Sequence, residues 1–393
     1  MPEKKALQEG KYVFFILLLV AGILRFHQLE SIPFFNDELS ALSRLDFSSF
    51  SQLIEKGVKP DGHPAFTQVF LYLWTKLFGT SEMVVRFPFI LAGMAAILIF
   101  YQLQLRLFGR TAANVLLAIM GAGQLLIFDT VMARPYAFGL LFTAMTAYTV
   151  WLFGEDEKAK RRQILILGFS LALSAYTHYF AALTAGLIYF IGFLPVRNRS
   201  IKAYLLSGLL AALLYLPHLS IFLTQISHGG IGGPEGWLSE PEILDFANFM
   251  LAGISFNQIL FAAILTGIIY GFFRKKNKAF FLFLLLPVLV FAIGWFYSTF
   301  RNPVMHAQTF VFALPFLFMA AASVTRGRNR IISTLLPLII SGILIWSLLY
   351  ERNHYETMKA QPFACAAKKR VHHPHAIKGF SINHEYVRFY HED

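Results

Sequence analysis

Apolar runs that alternate with short basic connections make up almost the whole chain, and this pattern restricts the fold more than any other feature. Each run is close to the ~20 residues that a helix needs to cross a bilayer. Hydrophobic residues form 56% of the chain and charged residues 14%, which an ordinary soluble core does not explain. We therefore predict an all-α polytopic membrane protein with about eleven transmembrane helices. The predicted spans are residues 11–27, 83–105, 112–128, 136–153, 163–179, 180–196, 203–222, 248–273, 279–299, 307–325 and 331–350.

The segment from His63 to Gly79 is apolar but short, and its placement fixes the orientation of every later span. If it lies in the membrane interface as an amphipathic helix, the N-terminus and five basic connections share one side of the membrane, with 19 Lys and Arg residues. If it spans the membrane, the positive-inside rule is broken five times. We therefore predict an interfacial helix, basic connections in the cytoplasm, and the 28–82 connection on the outer side.

This orientation predicts a multi-pass protein of the cell inner membrane, with a cytoplasmic N-terminus and a periplasmic active site and C-terminal tail. All twelve histidines then fall at outer span ends, in outer loops or in the tail, although none was used to choose the orientation. The first span lacks a small-residue cleavage site and is expected to be retained. The net charge of +12 follows from the basic connections, so the expected partner is the lipid bilayer and not nucleic acid.

The domain organisation follows from the same pattern. Residues 1–350 are predicted to form one membrane domain, and the polar tail 351–393 is too short to fold alone. The outer connection 223–247 is rich in Gly and Pro, which suits either a lid or a linker. A lone cysteine, Cys365, excludes an intrachain disulfide. Because no His pair has helical i, i+4 spacing with a third ligand nearby, we predict that no metal or other cofactor is required.

An acidic pair, Asp37 and Glu38, follows the first span in the stretch "SIPFFNDELSALSR". Carboxylates at an apolar interface are costly to ionise, so they are candidates for general bases. A structural alternative is a helix cap, since Asn36 or Asp37 before "ELSALSRL" is a good helix start. The residues by themselves leave both interpretations open.

Motifs around this pair resemble those of a known family. "FNDELSAL", "DGHPAFTQVFLYLWTKLFGTSEMVVRFPFILAG" and "ARPYAFGLLF" are similar to stretches of the membrane glycosyltransferases that use lipid-linked sugars. These are the protein O-mannosyltransferases and bacterial lipid A aminoarabinose transferases, glycosyltransferase families 39 and 83. The matching residues are Asp37, Glu38, His63, Pro64, Phe78, Gly79, Arg86 and Pro88.

The resemblance implies a C-type glycosyltransferase fold and transfer of one hexosyl or pentosyl group from a polyprenyl phosphate. The acceptor would be a hydroxyl or phosphate of a glycan, lipid or protein on the outer side. Because a phosphate leaves readily, one carboxylate suffices to deprotonate the acceptor. Asp37 is the predicted base, and Glu38 would orient the acceptor or hold the helix start.

The departing lipid phosphate requires cationic or hydrogen-bonding groups. The candidates are Lys59, His63, Arg134, Arg301 and His306. Tyr136 and His178 are candidates either to line the site or to anchor span ends at the interface. Arg86, at a helix end, is interpreted as a snorkelling anchor.

Two positions depart from the family pattern. Many relatives carry an acidic residue two positions before the Arg of "ARPY", where this chain has Met132, which leaves Asp129 as a displaced substitute. Many also carry Arg-Tyr at the start of the tenth span, where this chain has Gln308 and Thr309. Arg301 or His306 is therefore expected to take over phosphate binding.

Two other functional classes compete with a transferase. A transporter or flippase would place ionisable residues near the middle of its spans and often has broken helices. The middles of the predicted spans are almost free of charge, which favours the transferase. Only the family resemblance argues against a non-catalytic assembly subunit.

Overall fold

The protein is helical throughout the part of the chain that its structure, a computed structural model, describes. That part comprises residues 2–155, 161–194, 196, 200–227, 238–274, 277–325 and 330–360. Its α-helices are α1 Pro2–Phe26, α2 Asn36–Ser43, α3 Phe50–Gln52, α4 Ala65–Phe78, α5 Glu82–Phe108, α6 Arg110–Ala122, α7 Gln124–Val131, α8 Tyr136–Glu155, α9 Arg161–Thr177, α10 Tyr179–Gly192, α11 Ile201–Tyr215, α12 Leu219–Ser227, α13 Asp245–Gly253, α14 Gln258–Arg274, α15 Lys278–Phe300, α16 Ala307–Phe310, α17 Leu314–Ser323, α18 Arg330–Trp346 and α19 His354–Lys359. Short 3-10 helices cover Leu29–Ser31 and Leu216–His218, and π-helices cover Leu53–Val58 and Ser347–Glu351.

In the described ranges, fewer helices than the eleven predicted spans are long enough to cross a membrane. In the described ranges, six helical segments are long and apolar enough to cross a membrane, or eight if each of two bent pairs counts as one span. The predicted count of eleven is therefore not confirmed. Three predicted segments, 163–179, 180–196 and 307–325, contain helices of only 17, 14 and 10 residues. At 1.5 Å per residue, each falls short of the ~30 Å hydrocarbon thickness unless flanking residues complete the crossing.

The first outer connection contains short helices, as the sequence predicts. Its longest helix, α4, has 14 residues, or about 21 Å, which is too short to span a bilayer. α4 packs against α5 and α9. An interfacial position for the segment from His63 to Gly79 accords with this length.

The centre of the bundle is formed by α6 and α17. Nearly every residue of these two helices is buried, because α1, α5, α15 and α18 surround them. Helices that are apolar on all sides suit such a central position. The outward faces of α11 and α15 expose large apolar side chains, as lipid-facing surfaces do.

Two apolar segments are each sharply bent, and the two bends contact each other. α6 and α7 are bent by 63° at Gly123, and α13 and α14 by 112° after Gly253. A Cβ on Gly123 would lie 2.2 Å from the Gly253 carbonyl oxygen. The contact requires glycine, because no side chain fits between the two backbones.

The buried side chain of Arg25 donates hydrogen bonds to backbone carbonyl oxygens at the bend between α6 and α7. Its guanidinium donates to the carbonyl oxygens of Gly121 (2.8 Å), Met120 (3.1 Å) and Leu126 (3.4 Å). Its Nε–H donates to the Thr130 hydroxyl at 2.8 Å. Carbonyl groups that the bend would leave unpaired are thus engaged by the protein itself.

Candidate active site

Glu38 of the acidic pair is fully buried, and its carboxylate is saturated with donors. Arg86 approaches it with two N–H groups, Nε to Oε1 at 2.9 Å and Nη2 to Oε2 at 2.6 Å. The backbone N–H groups of Phe35 (3.0 Å) and Ala133 (2.9 Å) donate to the same carboxylate. Glu38 therefore holds the start of α2, and it has little capacity left to bind an acceptor.

Arg86 is equally buried, so the snorkelling interpretation is wrong. Besides pairing with Glu38, its guanidinium donates to the carbonyl oxygens of Ile32 (2.6 Å) and Pro33 (2.9 Å). The side chain is 0% exposed. Arg86 of α5 is thus joined to the start of α2 by the ion pair and to the segment after the first span by two hydrogen bonds.

Asp37 lies directly before Glu38 in the chain, but its environment is different. It is half-buried, and its carboxylate accepts no hydrogen bond from the described residues. The predicted capping of α2 by Asn36 or Asp37 is wrong. Phe35 is the N-cap residue, and it is the Glu38 carboxylate that accepts its N–H. The Asp37 side chain is consequently available to a substrate.

Arg134 lies beside Asp37 and is 6% exposed. Its Nη1 donates to the Asp37 carbonyl oxygen at 3.3 Å, and its Nη2 lies 3.0 Å from His63 Nδ1. The Arg134 Nε–H finds no partner among the described residues. A buried guanidinium with an unused N–H is suited to hold an anion.

Asp61 is a member of this cluster that sequence reasoning missed. Its carboxylate pairs with Arg44 at 3.1 Å, accepts the Gly62 N–H at 2.8 Å and lies 3.4 Å from His63 Nδ1. Burial raises the pKa of the Asp61 carboxyl, but His63, Arg134 and Arg44 together lower it by more. The pKa therefore lies well below its ordinary value. Asp61 is thus a fixed anion that balances the local positive charge.

Two aromatic residues predicted from span ends border the same space. The ring of His178 lies 5.5 Å from that of His63 and 5.8 Å from that of Tyr136. His178 Nδ1 accepts the Phe180 N–H at 3.0 Å at the start of α10. Because Nδ1 is an acceptor, the ring carries its proton on Nε2, which assigns the tautomer.

His306 adjoins the cluster from the other half of the chain, just before α16. Burial lowers the pKa of His306 to about 4, the charge of His63 lowers it too, and the carboxylate of Asp37 opposes both. His306 is therefore uncharged at neutral pH, and a hydrogen bond is the only help that it can give a phosphate.

Lys59 is engaged outside this cluster. Lys59 forms an ion pair with Glu55 at 2.7 Å on the surface of the outer connection. Arg301 is exposed at the end of α15.

One position that departs from the family pattern, Gln308, contacts the displaced acidic residue Asp129. Gln308 Nε2 donates to Asp129 Oδ1 at 3.2 Å. Asp129 is fully buried, and its Oδ2 has no partner among the described residues. An amide thus stands where many relatives carry Arg, and it contacts the displaced acidic residue.

A second set of contacts holds His63 in place from the opposite side. The Gln225 side-chain amide donates to the backbone carbonyl oxygens of Val58 (2.9 Å) and His63 (2.8 Å), and its oxygen accepts the Tyr179 hydroxyl. His218 Nε2 accepts the Ala65 N–H, at the start of α4, at 3.1 Å. The polar side chains at the outer end of α11 and α12 therefore anchor the backbone that carries His63.

Gln225→Leu is expected to lower activity without removing any group of the central cluster. The variant removes the side-chain donor to the Val58 and His63 carbonyl oxygens and frees the His63 backbone, so we expect a roughly 10-fold loss of rate from misplacement of His63. Thr224→Val is the matched control, because Thr224 is partly exposed and its hydroxyl bonds within its own helix. Initial rates of the two variants in membranes check the expectation, and equal rates would contradict it.

Several sequence predictions concern residues that the structure leaves undescribed. Residues 228–237 of the 223–247 connection, the proposed lid, are outside the described ranges, as is the tail from 361 onward. The first part of the tail does pack on the membrane domain. Tyr355 of α19 is buried, and its hydroxyl donates to the Leu24 carbonyl at 2.5 Å. Within the described ranges, no group of three or more His, Cys, Asp or Glu residues is arranged to hold a metal.

Comparison with known proteins confirms the resemblance that the motifs predict. Residues 62–221 match the family model of dolichyl-phosphate-mannose-protein mannosyltransferase. This range includes His63, Arg134, Tyr136 and His178 but begins after the acidic pair. No curated protein matches the whole sequence significantly.

The fold is similar to solved structures over nearly the full length of the chain. ArnT from Cupriavidus metallidurans bound to undecaprenyl phosphate is 13% identical with a TM-score of 0.63. The match covers 96% of this chain and 84% of that chain. The apo state of the same protein gives 0.62, with the same identity and coverage. The oligosaccharyltransferase of Archaeoglobus fulgidus in its apo form is 12% identical with a TM-score of 0.50. That match covers 93% of this chain and 58% of that chain. The chain is thus a multi-pass membrane protein with the predicted C-type fold.

Proposed function

We propose that this protein is a membrane glycosyltransferase that moves one sugar from a polyprenyl phosphate to an acceptor on the outer side of the inner membrane. The observation that carries the proposal is the juxtaposition of Asp37 and Arg134. Asp37, whose carboxylate accepts no hydrogen bond from the described residues, contacts through its backbone carbonyl a buried guanidinium with an unused N–H. A general base and an anion-holding group are the two elements that this transfer requires.

In the proposed reaction, the acceptor oxygen attacks the anomeric carbon of the donor sugar. The Asp37 carboxylate takes the acceptor proton when the acceptor is a hydroxyl, the new C–O bond forms, and the bond between the sugar and the phosphate oxygen breaks. The lipid phosphate leaves with the electron pair of that bond. Arg134, through its Nε–H, and His63 hold this phosphate, while Tyr136, His178 and His306 line the space.

Several observations support a polyprenyl phosphate as the donor. The family model that matches residues 62–221 is named for a dolichyl-phosphate sugar, and a structural neighbour binds undecaprenyl phosphate. The acceptor is proposed to be a glycan, lipid or protein that offers a hydroxyl or phosphate group. No metal or other cofactor enters this scheme.

A direct test is mass spectrometry of envelope glycolipids and glycoproteins from cells that lack the protein. We expect one defined sugar to disappear from one class of acceptor and to return when the protein is restored. Restoration with Asp37→Asn serves as the control, because that variant is expected to fold without transferring sugar. An unchanged sugar profile in the deletion strain would contradict the proposal.

Arg134→Lys is expected to lower the transfer rate roughly 100-fold. A lysine keeps the charge but loses the planar fork that contacts both the Asp37 carbonyl and His63. Lys59→Ala is the matched control, since it removes a cation of the same outer connection that pairs with exposed Glu55. Initial rates at saturating acceptor check this, and a loss at Lys59 but none at Arg134 would reverse the assignment.

A transporter is the second candidate, because two apolar segments are broken. In transporters, the carbonyl groups exposed at such breaks bind the substrate or ion. Here the Arg25 guanidinium occupies the carbonyls of Met120, Gly121 and Leu126. The α6–α7 break is therefore internally satisfied, which favours the transferase.

A further inference from the structure

A cavity lies at the opposite ends of the helices that form the candidate active site. It has a volume of about 320 Å³ and is bounded by five helices, α5, α8, α10, α15 and α17. Its walls are almost entirely apolar, with Leu103, Val150, Ile188, Leu282 and Phe316 as representative lining residues. Tyr136 of the candidate site begins α8 and Glu155 of the cavity ends it. Along α8, the nearest lining residue, Ala147, lies about 16 Å from Tyr136, and Glu155 at the rim lies about 30 Å from it.

The few charged groups at this cavity lie at its rim. Exposed Lys278, the first residue of α15, and exposed Glu155 both line it. The Arg106 guanidinium lies 5.3 Å from the ring of Trp151, which is also a lining residue. Two cations, Lys278 and Arg106, and one carboxylate, Glu155, thus lie at the edge of an apolar interior.

These properties restrict the occupant. Water does not stably fill a cavity of this size without several polar partners, so the interior is suited to hydrocarbon. Basic pockets between transmembrane helices on the cytoplasmic side are suited to anionic lipid headgroups. The sugar donor is a poor candidate, because its phosphate is proposed to bind some 30 Å from the rim, at the outer ends of the same helices.

We propose that this cavity binds an anionic phospholipid of the leaflet that faces the basic connections. One acyl chain fills the space between α8, α10 and α15, and the phosphate lies between Lys278 and Arg106. The lipid completes the packing of helices whose ends would otherwise line an empty space. This site is separate from the candidate active site, and only the exclusion of the sugar donor rests on the proposed function.

The test is the lipid content of the full chain, purified in mild detergent after reconstitution in vesicles of equal amounts of phosphatidylglycerol and phosphatidylethanolamine. We expect about one phosphatidylglycerol per chain by native mass spectrometry. Leu282→Trp fills the cavity and is expected to abolish this retention. Leu285→Trp, on the exposed side of the same helix, is the matched control and is expected to retain the lipid.

A charge variant tests the headgroup. Lys278→Ala is expected to lower the preference for phosphatidylglycerol at least several-fold, whereas Lys202→Ala, an exposed lysine at the start of α11, is expected to leave it unchanged. Thermal unfolding of each variant checks folding, and Ala279→Phe at the same cavity replaces Leu282→Trp if the latter does not fold. Equal retention by the cavity-filling variant and Leu285→Trp overturns the proposal. Retention of phosphatidylethanolamine or a polyprenyl phosphate in its place also overturns it.

Discussion

Asp37→Asn is expected to reduce sugar transfer by a factor of roughly 10² to 10⁴, the range typical for loss of a general base. The amide has nearly the shape of the carboxylate but cannot accept the acceptor proton. Because the Asp37 side chain accepts no hydrogen bond from the described residues, the substitution breaks no contact that holds the fold. Binding of the donor lipid and the thermal unfolding midpoint are therefore expected to stay at the parental values.

The measurement is the initial rate in membrane vesicles together with donor retention by the purified variant. Glu30→Gln is the matched control, because it neutralises an exposed carboxylate of the same outer connection. Transfer by Asp37→Asn at the parental rate would exclude Asp37 as the base. A rate loss accompanied by loss of folding would instead assign Asp37 a structural role.

Arg86→Met is expected to destabilise the protein by about 3–5 kcal/mol, the usual cost of removing one partner of a buried ion pair. The variant leaves the Glu38 carboxylate fully buried with only two backbone N–H donors. It also unpairs the carbonyl oxygens of Ile32 and Pro33. We expect a large fall in the thermal unfolding midpoint and loss of transfer, because the start of α2 carries Asp37.

A double variant distinguishes the ion pair from general disruption. Glu38→Leu combined with Arg86→Met removes both charges and is expected to recover part of the stability that Arg86→Met loses. Lys359→Met is the control for an exposed pair, since Lys359 contacts Glu356 at the surface, and about 1 kcal/mol or less is expected. If Arg86→Met unfolds at the parental temperature, the pair does not hold the site.

The sequence predicts the helical class and most helix positions because hydropathy is a local property. It does not predict where helices break. The bend at Gly123 depends on close approach to the Gly253 carbonyl, 130 residues later in the chain, and on the carbonyl groups that Arg25 engages. Such a contact leaves no periodic signal near either glycine.

The candidate site could be predicted in part. The sequence predicts His63, Arg134, Tyr136 and His178 as candidates, and the structure brings these side chains together, while their roles stay predictions. It gives no indication of Asp61, whose partners Arg44 and His63 lie in the same irregular connection.

The sequence by itself determined that adjacent carboxylates, Asp37 and Glu38, follow an apolar span, because composition alone specifies which segments enter a membrane. Only the tertiary structure decided which of the two is available. Neighbours on a helix point about 100° apart, so one faces the protein and the other does not. Glu38 is taken by Arg86 and by the N–H of Ala133, residues 48 and 95 positions away, and Asp37 is left open. Partners at such distances are fixed by packing and not by local sequence.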